Sequence, residues 1–201
     1  MKTIYLATKN KGKIREFETF FSQFNYHVKS LLDLDNNIEI EETGLTFQEN
    51  ALIKARTLCK YINEPVLADD SGLEVRVLNN EPGVNSARYA GIHGNDELNN
   101  QKLLEKLRDY PNRREARFVC VLALVYPNGK EIIVEGDCHG IILNEKRGTN
   151  GFGYDPLFFI PELKKTYAEL TSSEKMSISH RGKALKELEK VLMNDNNHRR
   201  I

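Results

Sequence analysis

Hydrophobic positions along the chain alternate between short runs and helical stripes. Ile4–Ala7 predicts a buried strand that leads into the polar turn Thr8-Lys9-Asn10-Lys11-Gly12-Lys13. Beyond the turn, Ile14, Phe17, Phe20, Phe21 and Phe24 recur at helical spacing and predict a helix of about three turns. Thr46-Phe47-Gln48-Glu49 has the form of a capping box, with Thr46 at the N-cap and Glu49 reaching back. Phe47, Ala51, Ala55, Leu58 and Ile62 carry that helix to about residue 62. Val66–Ala68 reads as a short strand ending in Asp69-Asp70-Ser71-Gly72, and Leu73, Val75 and Val77 alternate as a second strand.

Residues 96–109 predict a third helix with Leu103, Leu104 and Leu107 on its apolar side. Phe118–Tyr126 and Glu131–Val134 are β-rich runs joined by Pro127-Asn128-Gly129, a hairpin signal. Ala184, Leu185, Leu188, Val191 and Leu192 mark a C-terminal helix, and residues 194–201 read as a frayed polar tail. Helices interleaved with strands, plus one hairpin, predict an α/β fold with a mixed sheet. With 201 residues, no repeat and no linker, residues 1–201 are expected to form a single domain.

Charge changes the functional picture. The chain has 29 Lys+Arg and 29 Asp+Glu, so it lacks the cationic surplus that drives nucleic-acid binding. The longest apolar run, Val119–Tyr126, is far short of a membrane helix, and the first residues are too short in apolar content for a signal peptide. Cys59, Cys120 and Cys138 form neither a disulfide pattern nor a zinc motif, which fits free thiols and a cytoplasmic location.

Four polar segments carry candidate chemistry. Thr8–Lys13 sits between a strand and a helix start, where unpaired N–H groups and the positive dipole end accept a phosphate. Lys13 opposes that dipole, so a bound anion would explain it; a solvated basic turn explains it too. Glu39, Glu41 and Glu42, with Asp69 and Asp70, are hard oxygen ligands suited to Mg²⁺, or a carboxylate base; an acidic turn is the plain alternative. Gly151-Phe152-Gly153-Tyr154-Asp155-Pro156 frees an aromatic ring to stack on a flat partner, unless the rings are simply buried. Lys175 and Ser179-His180-Arg181-Gly182-Lys183 form a basic cluster before the last helix, again suited to an anion or to the surface.

Taken in order, these segments resemble the inosine triphosphate pyrophosphatase family. The matching stretches are Leu6-Ala7-Thr8-x-Asn10-x-Gly12-Lys13, Glu41-Glu42-Thr43-Gly44 to Glu49-Asn50-Ala51, Lys54-Ala55, and Ala68-Asp69-Asp70-Ser71-Gly72-Leu73. They continue with Pro82-Gly83-Val84-x-Ser86-Ala87-Arg88-Tyr89-Ala90-Gly91, Gly151–Pro156 and Ser179–Gly182, so nearly the whole chain is covered. One departure is Lys9, where the family commonly has Gly. The resemblance implies an elongated mixed sheet with helices on both sides, two lobes around a central active-site cleft, and a homodimer.

It also implies Mg²⁺-dependent hydrolysis of dITP, ITP and XTP to monophosphate and pyrophosphate, which keeps these nucleotides out of DNA and RNA. Thr8, Lys9, Asn10, Lys11, Gly12, Lys13 and Lys54 would hold the triphosphate. Glu41, or Glu42 in its place, would bind Mg²⁺ with Asp70, which would also be the catalytic base. Strand alternation turns only one of Asp69 and Asp70 toward the reaction, and the motif match assigns Asp70. Ser71 would touch the nucleotide, and Phe152, Gly153, Tyr154, Asp155, Lys175, His180 and Arg181 would form the base pocket. A pyrophosphatase for modified pyrimidine or methylated nucleotides and a non-catalytic triphosphate sensor are the alternative readings.

Overall fold

The computed structural model of the chain describes residues 2–24, 26–34 and 38–198. Two compact units emerge: one runs up to Asp70 and takes in Cys120–Gly136 and the chain from Ala184 onward, and the other holds Ser71–Val119 and Asp137–Lys183.

In the first unit, β1 (Lys2–Leu6) pairs in parallel with β2 (Tyr26–Ser30) and with β3 (Val66–Val75). Parallel neighbours need a crossover, and α1 (Lys11–Phe21) supplies the one between β1 and β2. Phe17, Phe20 and Phe21 are its buried face, as the spacing predicts, and Phe21 packs its ring 5.9 Å from Tyr26. Phe24 lies past the helix end and is 36% exposed, so the stripe is shorter than expected. Ahead of β3, α2 (Phe47–Ile62) starts at Thr46 with the anticipated capping box.

In the second unit, β4 (Glu81–Pro82) pairs antiparallel with β3 and is followed by α3 (Asp96–Lys106). Two long strands follow, β5 (Glu115–Val125) and β6 (Glu131–Ile142), and like β3 they run through both units. The hairpin between them closes where Tyr126 N–H bonds Lys130 O, with Gly129 at φ +84°. Gly129 alone takes the left-handed backbone; Asn128 does not. Next come β7 (Phe158–Ile160), β8 (Lys165–Thr166), α4 (Ser172–Ile178) and α5 (His180–His198). Leu73, Leu103, Leu107, Phe118, Phe158 and Tyr167 belong to the apolar core of this unit.

The strand order is β2-β1-β3-β5-β6-β7-β8, with β4 on β3, so the expected α/β class and mixed sheet are borne out. Four local expectations are corrected. The Asp-Asp-Ser-Gly segment is no strand end: Val66–Val75 is one continuous strand, because both aspartates are buried against lysines and have no need of solvent. The second hairpin strand continues from Val134 to Ile142, and the third helix stops at Lys106. The polar tail from Asn194 is helical to His198, while residues 199–201 lie outside the described ones. Among the described residues no helix is long and apolar enough to cross a membrane.

Candidate active site

In the first unit the Thr8–Lys13 segment is a built helix start. Thr8 Oγ1 accepts from Asn10 N–H, and Asn10, the N-cap of α1, accepts from Lys13 N–H at 3.0 Å. No acidic residue occupies the first turn of α1, so its positive end is left to other anions. Lys13 Nζ is ion-paired with Asp69 Oδ1, while Asp69 Oδ2 accepts from Cys120 Sγ at 3.1 Å. This carboxylate is fully buried.

On α2, buried Lys54 donates to Asp70 Oδ1 at 2.8 Å and to Glu42 Oε2 at 2.9 Å. The chain ahead of α2 is irregular, and two devices fix it. The Thr46–Glu49 capping box holds the helix entry, and Asn50 Oδ1 accepts from Gly44 N–H at 2.8 Å. A Cβ on Gly44 would lie 2.7 Å from that same oxygen, so this close approach admits only glycine. The result sets Glu42 on Lys54, while Glu41 is exposed. Alternation along β3 holds: Asp69 meets Lys13 and Asp70 meets Lys54. Both aspartates therefore engage a lysine of the expected phosphate set.

Electrostatics sharpen the cluster. Burial pushes the Asp70 carboxyl up to about 6, against the pull of Lys54 and Lys13, and the nearby Glu42 charge adds to the rise. Burial works against the Lys54 charge and the Glu42 charge as well. Asp70 and Glu42 together nonetheless raise the Lys54 pKa, and Lys54 lowers that of Glu42. Asp70 Oδ2 is buried and has no hydrogen-bond donor. A carboxylate oxygen left in that state fits a cation.

In the second unit the aromatic loop is locked at several points. Asp155 is 2% exposed and its Oδ2 accepts from Lys175 Nζ at 2.7 Å and from Phe152 N–H at 3.0 Å. A Cβ on Gly151, at φ +78°, would strike this oxygen at 2.0 Å. Phe152 is half-buried, with Lys175 Nζ 4.8 Å and the Arg181 guanidinium 5.9 Å from its ring centre. Arg181 also donates to Ser71 Oγ at 2.9 Å. His180 opens α5 and stacks on Phe118 with centroids 4.7 Å apart.

Phe152, Lys175, Arg181 and Ser71 are thus brought together, and Gly153 carries the loop at φ +63°. Tyr154 differs: it is 4% exposed in the apolar core, and its hydroxyl donates to Ser86 O at 2.9 Å. The Asp155 carboxylate is held by the protein's own Lys175 and by Phe152 N–H. Lys9 and Lys11 are exposed on the loop ahead of α1 and its first residue. Nothing in the spacing of Asp69 and Cys120 reports that Asp69 meets Lys13 and that the two meet each other. The two groups of residues are joined in the chain by the Asp70–Ser71 peptide bond.

Comparison with known proteins agrees with the motif order. A model of the Ham1 family matches residues 4–191. A dITP/XTP pyrophosphatase of Bacillus cereus is 52% identical over 195 residues, covering 96% of this chain and 95% of that protein. Another, from Exiguobacterium sibiricum, is 55% identical over 190 residues, covering 94% and 96%. The solved structure of the Staphylococcus aureus Ham1 protein matches with a TM-score of 0.85 at 45% identity, covering 96% of this chain and 100% of that one.

Proposed function

The chain belongs to the Ham1 family, and we propose that it hydrolyses non-standard purine nucleoside triphosphates, dITP, ITP and XTP, to the monophosphate and pyrophosphate. The observation that carries this reading is the Lys54–Asp70–Glu42 cluster, in which Lys54 and Asp70 are buried and one Asp70 oxygen lacks any donor. Glu42 and Asp70 are the residues that would hold Mg²⁺; Glu42 replaces Glu41 in this role because it is the one set against Lys54. Among the described residues no group of three or more His, Cys, Asp or Glu side chains gathers as a cage. That suits Mg²⁺, which takes one or two carboxylates and completes its octahedron with water and phosphate oxygens. When bound, Mg²⁺ would neutralise phosphate charge at the reacting centre.

The chain's own residues divide the remaining work. Asp70 orients the attacking water on the α-phosphorus and takes its proton, a role within reach of a carboxyl titrating at about 6. Lys54 uses two of its three N–H donors on Asp70 and Glu42, which leaves one for a phosphate oxygen. Lys13 and the start of α1, with Thr8 and Asn10 as its built entry, meet the departing pyrophosphate.

In the second unit, Phe152 stacks on the purine and Arg181 offers N–H groups to its six-carbonyl. Adenine presents an amino group at that position, so donor would face donor and buried groups would go unpaired. Homodimerisation and a cytoplasmic location rest on the family resemblance and on the cysteine pattern. The test is turnover of a nucleotide panel: ITP and XTP should be consumed far faster than ATP, and equal rates would overturn the base assignment.

A further inference from the structure

Helix α3 has an unusual buried face. Leu103 is apolar, but Asn99 and Asn100 are each only 2% exposed, and a buried amide costs free energy unless its hydrogen bonds are made. Both amides serve irregular chain. Asn99 Oδ1 accepts from Ala90 N–H at 2.8 Å. Asn100 Nδ2 donates to Gly153 O at 2.9 Å and to Asp96 O at 2.8 Å.

One turn before Asn100, on the same side of the helix, Asp96 Oδ2 accepts from Gly153 N–H at 2.7 Å. The N–H and C=O of a single residue are therefore held by a helical i, i+4 pair 57 and 53 residues away in the chain. Gly153 is a point where holding matters. It sits at φ +63° with open space where a Cβ would be, so its backbone and not its surroundings demands glycine. It is also the neighbour of Phe152, whose own N–H is tied to Asp155.

We propose that Asp96 and Asn100 are positioning residues that fix the Gly153 backbone and, through it, the presentation of the Phe152 ring to the purine base. The inference rests on the reading of Phe152 as the base-stacking residue. It assigns α3 an effect on base affinity and none on the phosphoryl chemistry. Asp96 is exposed, so removing its carboxylate leaves no buried group unpaired on its own side.

The experiment is a double-mutant cycle of Asp96→Ala and Phe152→Ala, assayed with ITP, with Asp96→Asn as the conservative variant. Asp96→Ala should raise KM at least about fivefold, the loss of one charge-assisted hydrogen bond at the surface, with kcat within about twofold. Asp96→Asn, which keeps an acceptor, should recover most of that loss. In the Phe152→Ala background the further change should shrink to near nothing, because the residue through which Asp96 acts is gone. Additive effects, an unchanged KM, or a fall in kcat with KM constant would overturn the proposal while the base-stacking reading stands. An unchanged KM in Phe152→Ala alone would remove that reading and the proposal with it. Melting temperatures of every variant separate these outcomes from a loss of fold, and Asn100→Asp, which loses the donor to Gly153 O, supplies a second entry to the same cycle.

Discussion

Lys54 Nζ lies 2.8 Å from Asp70 Oδ1, and each side chain is 9% exposed. A carboxylate so buried would shed its charge if that lysine were absent, and burial already lifts its pKa to about 6. Asp70→Asn keeps the shape and removes the charge. We expect kcat to fall at least about a hundredfold, the lower end of general-base effects, with the circular dichroism spectrum unchanged.

The neighbouring aspartate is predicted to act differently. Asp69 carries no assigned chemistry, and strand alternation makes it the apparent bystander, yet it is the ion-pair partner of Lys13. Asp69→Asn should loosen Lys13 and raise KM for the triphosphate by about tenfold, with a smaller loss in kcat. Steady-state kinetics beside Asp70→Asn would check this. A dead Asp69→Asn with a near-normal Asp70→Asn would move the base assignment by one residue.

The raised pKa of Asp70 fixes the sign of a pH effect. An acid that titrates at about 6 is mostly ionised at pH 7 and mostly protonated at pH 5. Mg²⁺ needs the carboxylate, so protons compete with it: the apparent Mg²⁺ affinity should hold above pH 7 and weaken by up to about tenfold per unit below pH 6. Mg²⁺ titrations of initial rate at several pH values check this, and Asp70→Asn should show weak binding without the pH dependence.

The chain has no tryptophan, so Phe152→Trp places a single tryptophan in the base loop, whose emission can be excited apart from that of the eight tyrosines. Stacking of a purine on that ring should quench its emission when inosine monophosphate is added, and adenosine monophosphate should quench less. Equal quenching by both would place base selection elsewhere than beside residue 152.

What the sequence made legible was local chemistry. The Thr46–Glu49 capping box, the Phe17–Phe21 stripe and the Asn128-Gly129 turn are readable because each depends on residues a few positions apart. Asp69-Asp70-Ser71-Gly72 looked like a turn because carboxylates usually seek water. Lysines 13 and 54 make burial tolerable, and no spacing rule reports a partner 56 residues away. That Glu42 is the glutamate set on Lys54 is hidden for a similar reason: Asn50 gripping Gly44 sets the phase of that irregular segment. Tyr154 resembled a site residue by its flanking glycine and Phe152, but its neighbours are Ser86 and the core. The Asp96–Asn100 hold on Gly153 left no trace at all, since an Asp and an Asn in a helix are ordinarily solvent-facing.

The central claim is attack of water at the α-phosphorus. Hydrolysis of ITP in ¹⁸O-labelled water, with both products analysed by mass spectrometry, tests it directly. Attack there yields inosine monophosphate carrying one ¹⁸O atom together with unlabelled pyrophosphate. Label in the pyrophosphate, or release of orthophosphate with a diphosphate, would contradict it.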